Sequence, residues 1–232
     1  MTKVSTKLAG QSVPDKIAYH TVRTIVTVFC RVWCRMSIEG RDNIPTSGPF
    51  ILAPTHRSII DTPVASGVYR RRMRFMGADK WWSNKHFGNL LSALGGFPVS
   101  RGSADREALK RCIAVIEGGE PLVLFPEGER KSGPVVQPLF DGAAYVAMRT
   151  GVVIVPVGIG GSERVMPKGT KFIYPRKLSV IVGPPLRAPA AASPKEQRAA
   201  TRLLTARFPP PPQPPVHLPH ASPQYALTTP AH

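Results

Sequence analysis

Residues 50–68, FILAPTHRSIIDTPVASGV, pass from a strand through a polar loop into a helix. The run at residues 50–53 is short, apolar and uninterrupted, a pattern that indicates a buried strand. A helix is predicted to follow, with Thr62 as its N-cap and Pro63 in the first turn, where the missing N–H of proline is not needed. The residues between His56 and Asp61 are therefore expected to form a loop at the carboxyl end of the strand.

Strand and helix patterns continue to alternate on the C-terminal side of this stretch. Strand-like runs occupy residues 74–78, 96–99, 122–125, 152–159 and 178–182, and helical patterns occupy residues 63–76, 104–117 and 141–150. Residues 74–76 fit both descriptions, so the end of the first helix is left open. The alternation predicts an α/β domain with a largely parallel central sheet flanked by helices. In such sheets the reacting groups lie beyond the carboxyl ends of the strands.

An amphipathic helix is predicted over residues 17–36, ahead of this domain. Its apolar side chains recur at helical spacing: Ala18, Val22, Ile25, Val26, Phe29, Val32, Trp33 and Met36. Such a helix can lie in a membrane interface with its apolar side down, or it can pack on the domain core. No signal peptide or transmembrane segment is expected, because charged residues interrupt the apolar run and a spanning helix needs on the order of 20 mostly apolar residues.

The predicted domain organisation has three parts. Residues 1–37 form the N-terminal amphipathic helix at a membrane interface, residues 38–207 form the α/β domain, and residues 208–232 form a tail. Nine of the 26 prolines lie between residues 209 and 232. Because this composition cannot bury a core, the tail is expected to be disordered.

Composition narrows the range of partners. The chain has 232 residues, a hydrophobic content of 42% and a formal net charge of +17. The hydrophobic content excludes wholesale disorder, and the charge favours polyanionic partners: nucleic acid, an anionic membrane surface or a phosphorylated substrate. The three cysteines exclude a disulfide scaffold and a four-cysteine zinc site, and they fit a reduced, cytoplasm-facing location.

His56 and Asp61 are the first candidate catalytic pair. On a continuous helix this spacing would hold them about 140° apart, so they could not meet. In a loop, the carboxylate can hold one ring nitrogen, fix the tautomer and leave the other nitrogen as a general base near neutral pH. Since no G-x-S-x-G nucleophile motif is present, the hydroxyl to be activated would belong to the substrate. By itself, such a pair is more often structural than catalytic.

Two further polar clusters follow predicted strands. Arg101 lies among glycines just past a strand, where it could bind a phosphate closely or could be a solvated surface arginine. Residues 127–130, Glu-Gly-Glu-Arg, form either a polar acceptor site or a charged turn.

Together and in this order, these blocks resemble the four motifs of the glycerolipid acyltransferase family, specifically the 1-acylglycerol-3-phosphate acyltransferases. The segment from His56 to Asp61 resembles the first motif. The second, third and fourth are resembled by GFPVSR at residues 96–101, FPEG at residues 125–128 and VPV at residues 155–157. The resemblance covers roughly residues 38–185 and implies a glycerol-3-phosphate acyltransferase-like fold.

The resemblance implies a reaction without a metal, a cofactor or an acyl-enzyme. His56 would be the general base that deprotonates the acceptor hydroxyl, and Asp61 would orient and polarise it. The acyl donor would be a thioester of coenzyme A or of an acyl carrier protein.

The resemblance also implies four substrate-binding residues. Arg101 would hold the phosphate of the acceptor, Glu127 and Gly128 would shape the glycerol site, and Arg130 could also bind phosphate. The chain differs from the family pattern at Glu129, where threonine is usual, and it has no lysine after Phe140, so no lysine role is assigned.

Two classes of function follow. The first is an enzyme that makes phosphatidic acid from lysophosphatidic acid at the cytoplasmic face of the cell membrane, as a peripheral or monotopic protein on an anionic surface. The same chemistry on glycerol 3-phosphate or another lysophospholipid is the nearest alternative. The second class is a basic protein that binds membrane or nucleic acid without catalysis. Nucleic acid is not the expected partner, since the sequence contains no recognisable nucleic-acid-binding module.

Overall fold

The structure is a computed structural model that describes residues 10–99, 106–132 and 139–187. Arg101 and the predicted tail at residues 208–232 lie outside the described residues. Six α-helices are described, namely α1 Val13–Trp33, α2 Asp61–Val68, α3 Lys85–Ala93, α4 Arg106–Glu117, α5 Gly142–Thr150 and α6 Ser162–Val165. Seven strands are described, namely β1 Ser37–Glu39, β2 Ile51–Pro54, β3 Arg74–Ala78, β4 Gly96–Val99, β5 Leu122–Val123, β6 Ile154–Gly160 and β7 Ser179–Val182.

The seven strands form one sheet in the order β1-β7-β6-β2-β5-β3-β4. From β6 to β4 the neighbouring strands are parallel, with Ile51 opposite both Leu122 of β5 and Ile154 of β6. Strand β7 is antiparallel to β6, and β1 is parallel to β7. The predicted fold class, a largely parallel sheet flanked by helices, is therefore confirmed.

Helix α2 ends earlier than the longest helical interpretation of residues 63–76, and residues 74–78 form strand β3. Two arginines from other elements satisfy carbonyl groups at its end. Arg23 Nε donates to the carbonyls of Ser66 and Tyr69 at 3.0 and 2.8 Å, and Arg41 Nη2 donates to that of Gly67 at 3.1 Å. Cations at a helix C-terminus also complement its dipole. Neither contact is encoded locally, so helical periodicity alone could not locate this end.

Buried side chains fill the space on both faces of the sheet. One cluster includes Cys30 of α1 and its C-cap residue Cys34 together with residues of α2, and the other joins α4 and α5 to the sheet. All three cysteines are free thiols in these clusters. Burial raises the pKa of Cys30 to about 11 and that of Cys112 to about 12, so both thiols pack as neutral groups at physiological pH.

Helix α1 packs on the domain with a different side from the one that its apolar spacing suggests. Tyr19 and Cys30 are buried, and the side chain of Thr27 lies against Gly67. The predicted apolar stripe is largely outward: Ile25 is 63% exposed and Val32 is 74% exposed. The helix therefore carries apolar residues on two sides, one inside the fold and one on its surface. Within the described residues, no helix meets the length and hydropathy needed to cross a membrane.

An ion pair between a buried arginine and a partly exposed glutamate joins β3 to the turn before β5. The Arg74 side chain is 1% exposed, and its Nε and Nη2 donate to the two carboxylate oxygens of Glu120 at 2.7 and 2.8 Å. The two parallel hydrogen bonds neutralise a guanidinium that would be destabilising if it were buried without a partner. The pair lies at the amino end of strand β3.

Candidate active site

The candidate site lies at the carboxyl edge of the parallel strands. His56 comes two residues after the end of β2, and Phe125 comes two residues after the end of the neighbouring strand β5. Because adjacent parallel strands end at the same edge, the first and third sequence motifs meet there, as the sequence predicted. The strand that precedes Arg101, β4, also ends at this edge, three strands from β2.

The loop brings His56 and Asp61 into contact. His56 Nδ1 lies 3.3 Å from Asp61 Oδ2, and the Asp61 side chain is completely buried. The same oxygen accepts the backbone N–H groups of Arg57 and Ser58, each at 2.6 Å. An ionised carboxylate only accepts, so this contact requires the proton on Nδ1 and leaves Nε2 with a free lone pair. The arrangement can supply a general base whose charged form is stabilised by a fixed anion.

The imidazole is also held by an aromatic ring. The ring of Phe125 stacks on that of His56, with centroids 4.1 Å apart and planes 27° apart. The His56 side chain keeps 14% exposure, so one part of the ring remains open to a substrate.

Glu127 lies beneath the site as a fully buried carboxylate. Its Oε1 accepts the backbone N–H of His56 at 3.0 Å, and its Oε2 forms an ion pair with Nη1 of Arg57. Both oxygens are therefore bound to residues of the first motif. The resemblance assigned Glu127 to the glycerol site, and the structure places it behind the base, within the protein.

Gly128 forms the exposed turn that follows. Its φ of +68° lies in the left-handed region, and a Cβ at this position would come within 2.8 Å of the Phe140 ring. Both facts favour glycine, because any other residue would strain the backbone and collide with the ring. The turn is closed by the N–H of Gly128, which donates to the Phe125 carbonyl at 3.0 Å.

The charged end of this turn is at the surface. Arg130 is exposed, and Glu129 pairs with Lys131, whose Nζ lies 2.7 Å from Oε1. The backbone N–H of Lys131 donates to the His56 carbonyl at 2.9 Å. The acid that departs from the family pattern is thus paired with a neighbouring lysine.

Sequence reasoning missed Arg57 and Phe125. Both lie inside motifs that were recognised, so their place in the sequence could have marked them as candidate site residues. Their roles depend on side-chain direction, which one-dimensional spacing does not report.

A family model described as acyltransferase matches residues 35–160, more than half of the chain. The chain is 28% identical over 177 residues to a 1-acyl-sn-glycerol-3-phosphate acyltransferase of Bacillus subtilis (strain 168), and the match covers 75% of this chain and 86% of that one. It is 28% identical over 163 residues to a chloroplast protein of the same name from Arabidopsis thaliana, covering 68% of this chain and 45% of that one. The chain thus spans most of the bacterial relative and less than half of the plant relative.

A solved structure has the same fold. The 1-acyl-sn-glycerophosphate (LPA) acyltransferase of Thermotoga maritima matches with a TM-score of 0.66 and 22% sequence identity, covering 84% of this chain and 82% of that one.

The Asp61→Asn variant should loosen the control of the His56 tautomer. The new amide oxygen can still accept the two backbone N–H groups, so the loop is expected to keep its shape. A neutral oxygen attracts the ring N–H less than a carboxylate does, so the Nδ1-protonated form should lose its dominance. Ring ¹⁵N NMR of the neutral imidazole measures this, with the exposed His20 and His86 as internal controls. An unchanged His56 tautomer would show that Asp61 does not set it.

Proposed function

The chain belongs to the acyltransferase family, and from that premise we propose that it acylates the free hydroxyl of lysophosphatidic acid, giving phosphatidic acid for phospholipid synthesis. The observation that carries the proposal is the His56–Asp61 contact at the open carboxyl edge of the sheet. The names of the bacterial and plant relatives support the choice of acceptor. The acyl donor is a thioester, carried by coenzyme A or by an acyl carrier protein.

The geometry supports a single displacement with one general base. Nε2 of His56 takes the proton of the acceptor hydroxyl as its oxygen attacks the thioester carbonyl. An ester bond forms, the carbon–sulfur bond breaks, and the thiolate leaves and takes up a proton from the imidazolium. Asp61 stabilises the transient positive charge on the ring. No covalent acyl-enzyme is required, because the substrate supplies the nucleophile.

Arg101 and Arg130 are proposed to bind the acceptor phosphate. Arginine suits this role because its planar fork can donate two hydrogen bonds to one phosphate group. The exposed Arg130 follows the Gly128 turn, and we propose that this turn borders the glycerol part of the acceptor. Glu127 contributes to the shape of this site from below.

We further propose that the outward side of α1 docks on the cytoplasmic face of an anionic membrane. Apolar side chains are exposed on α1 itself, on α3, which contacts α1, and in the segment near the end of α1: Val28 and Phe29, Phe87 and Leu90, and Phe172. The Trp33 Nε1 donates to the Ile173 carbonyl at 2.8 Å, which ties the segment around Phe172 to the end of α1. Basic residues beside such a surface add about 1 kcal/mol each on anionic lipid.

His56→Ala should reduce acyl transfer by about 10²–10⁴-fold, because removing a general base has this effect. The measurement is thiol release with a panel of acceptors: lysophosphatidic acid, glycerol 3-phosphate and a neutral lysophospholipid. His86→Ala, at an exposed histidine of α3, is the matched control and should retain full activity. Wild-type-like turnover in His56→Ala would refute the mechanism, and preference for another acceptor would redirect the substrate assignment.

Arg101→Ala should raise the KM for the acceptor by about 10–100-fold, the effect of losing a hydrogen bond between charged groups. The KM for the thioester should change little. The kcat also falls if part of the phosphate contact forms only in the transition state. Arg149→Ala, at an exposed position of α5, is the control. Equal effects on both substrates would assign Arg101 a structural role.

Val28→Asp combined with Val32→Asp should abolish binding to anionic phosphatidylglycerol vesicles while the protein stays folded. Both side chains are exposed, whereas deletion of α1 would remove the buried Tyr19 and Cys30. Activity on a short-chain, soluble acceptor should be unchanged. Tyr145→Ser, at an exposed aromatic of α5, is the control and should bind normally. Undiminished vesicle binding in the double variant would exclude α1 as the docking element.

A further inference from the structure

Two buried charges tie the third sequence motif to the first. The Glu127 and Arg57 side chains are 0% and 4% exposed, and they form an ion pair through Oε2 and Nη1. The other carboxylate oxygen of Glu127 accepts the backbone N–H of His56 at 3.0 Å. An acceptor molecule could contact this carboxylate only if the covering loop moved.

The loop that carries His56 is thus held by carboxylates from two directions. Asp61 accepts the backbone N–H of Arg57 at 2.6 Å, and Glu127 accepts the backbone N–H of His56 at 3.0 Å. Two successive peptide groups are fixed between these anions. The position of the imidazole relative to Asp61 therefore depends on both carboxylates.

Stability alone is a weak explanation for the Arg57–Glu127 pair. Desolvation of two buried charges offsets most of their attraction, and an apolar pair of similar volume is often at least as stable. The pair instead fixes geometry, because a carboxylate that accepts hydrogen bonds from two donors at once determines the positions of both.

We infer that Arg57 and Glu127 are positioning residues for the base, so that Glu127 acts on the reaction through His56 and Arg57 and not by contact with the acceptor. This inference rests on the proposed acyl transfer. Phe125 contributes to the same task, because its ring stacks on the imidazole from the same motif. The third motif then holds His56 in two ways: Phe125 stacks on its ring, and Glu127 binds its backbone N–H.

The test is a double-mutant cycle with Glu127→Gln, Arg57→Met and the double variant. His56 N–H and Arg57 Nη1 bind different oxygens of Glu127, and glutamine has an NH₂ group in place of one of them, so one of these two donors loses its acceptor. Each single variant should lower kcat by about 10–100-fold, as expected when a catalytic group is displaced by about 1 Å. Both KM values should stay within about twofold of wild type, and the double variant should be no worse than the poorer single variant.

A second readout follows the ring itself. In Glu127→Gln and Arg57→Met, the ¹⁵N signals of His56 should move toward a mixture of tautomers. Arg57→Lys keeps the positive charge, so its kcat should lie between those of Arg57→Met and the wild type. This variant also tests the inference if Glu127→Gln does not fold. Loss of kcat in Arg57→Lys equal to that in Arg57→Met would overturn the charge-pair argument.

Glu120→Gln is the control, because Glu120 pairs with another buried arginine, Arg74, and its own side chain is 23% exposed. It should lower the denaturant midpoint while kcat and the His56 signals remain those of the wild type. An equal fall in kcat in this variant would show that the Glu127 effect is a general loss of stability. A raised acceptor KM in Glu127→Gln with kcat unchanged, additive with Arg57→Met, would show direct contact with the acceptor and refute the inference.

Failure of the proposed function gives a different result. If the wild-type protein transfers no acyl group to any acceptor, the catalytic assignment is wrong, whereas the His56 tautomer still reports whether Glu127 and Arg57 position the ring. Wild-type ¹⁵N signals in both variants would then refute the positioning role as well.

Discussion

A single carboxylate oxygen, Oδ2 of Asp61, organises the loop on which the site depends. It accepts two backbone N–H groups and lies against the imidazole of His56, and the side chain that carries it has no solvent exposure. A buried carboxylate is stable only when such donors surround it, so the loop must curl around it. The curl is what turns His56 back over the end of β2. Arg57 and Glu127 then complete the enclosure from the other side.

Helix α2 connects this loop to α1. Asp61 is its first residue, and the carbonyls at its other end accept hydrogen bonds from Arg23 of α1. An eight-residue helix is about 12 Å long, so the site and α1 are held at a short, fixed separation. A membrane under α1 would present the acceptor hydroxyl at a defined height from the base.

The sequence was sufficient for six of the seven described strands and for the His56–Asp61 contact, but it missed the three-residue edge strand β1. The contact could be predicted because the helix start signal at Thr62 and Pro63 removed the alternative of a continuous helix. The predicted N-cap was wrong: the helix begins two residues earlier, at Asp61, and its N-cap is Ile60. The short helix α3 was not anticipated, and its N-cap, where Asn84 accepts the N–H of Phe87 at 3.0 Å, is its clearest local signal.

Other features could not be read from spacing, for physical reasons. Helix α1 has apolar residues on two sides, so periodicity alone cannot identify which side packs on the core. The end of α2 depends on Arg23 and Arg41, which are distant in the sequence. The burial of Glu127 follows from the direction of its side chain, and a charged residue in a turn is ordinarily expected at the surface.

The position of β2 between two strands from later in the sequence also determines when the site can form during folding. Ile51 pairs with Leu122 and with Ile154, residues that are made long after it. Closing such long loops is slow, because the chain loses entropy before these contacts stabilise it. During synthesis, β2 therefore leaves the ribosome well before its neighbours β5 and β6. Until they follow, His56 lies beside an incomplete sheet. Catalytic competence is consequently a late event in synthesis, and until the neighbouring strands form, the unpaired edges of β2 are prone to aggregation.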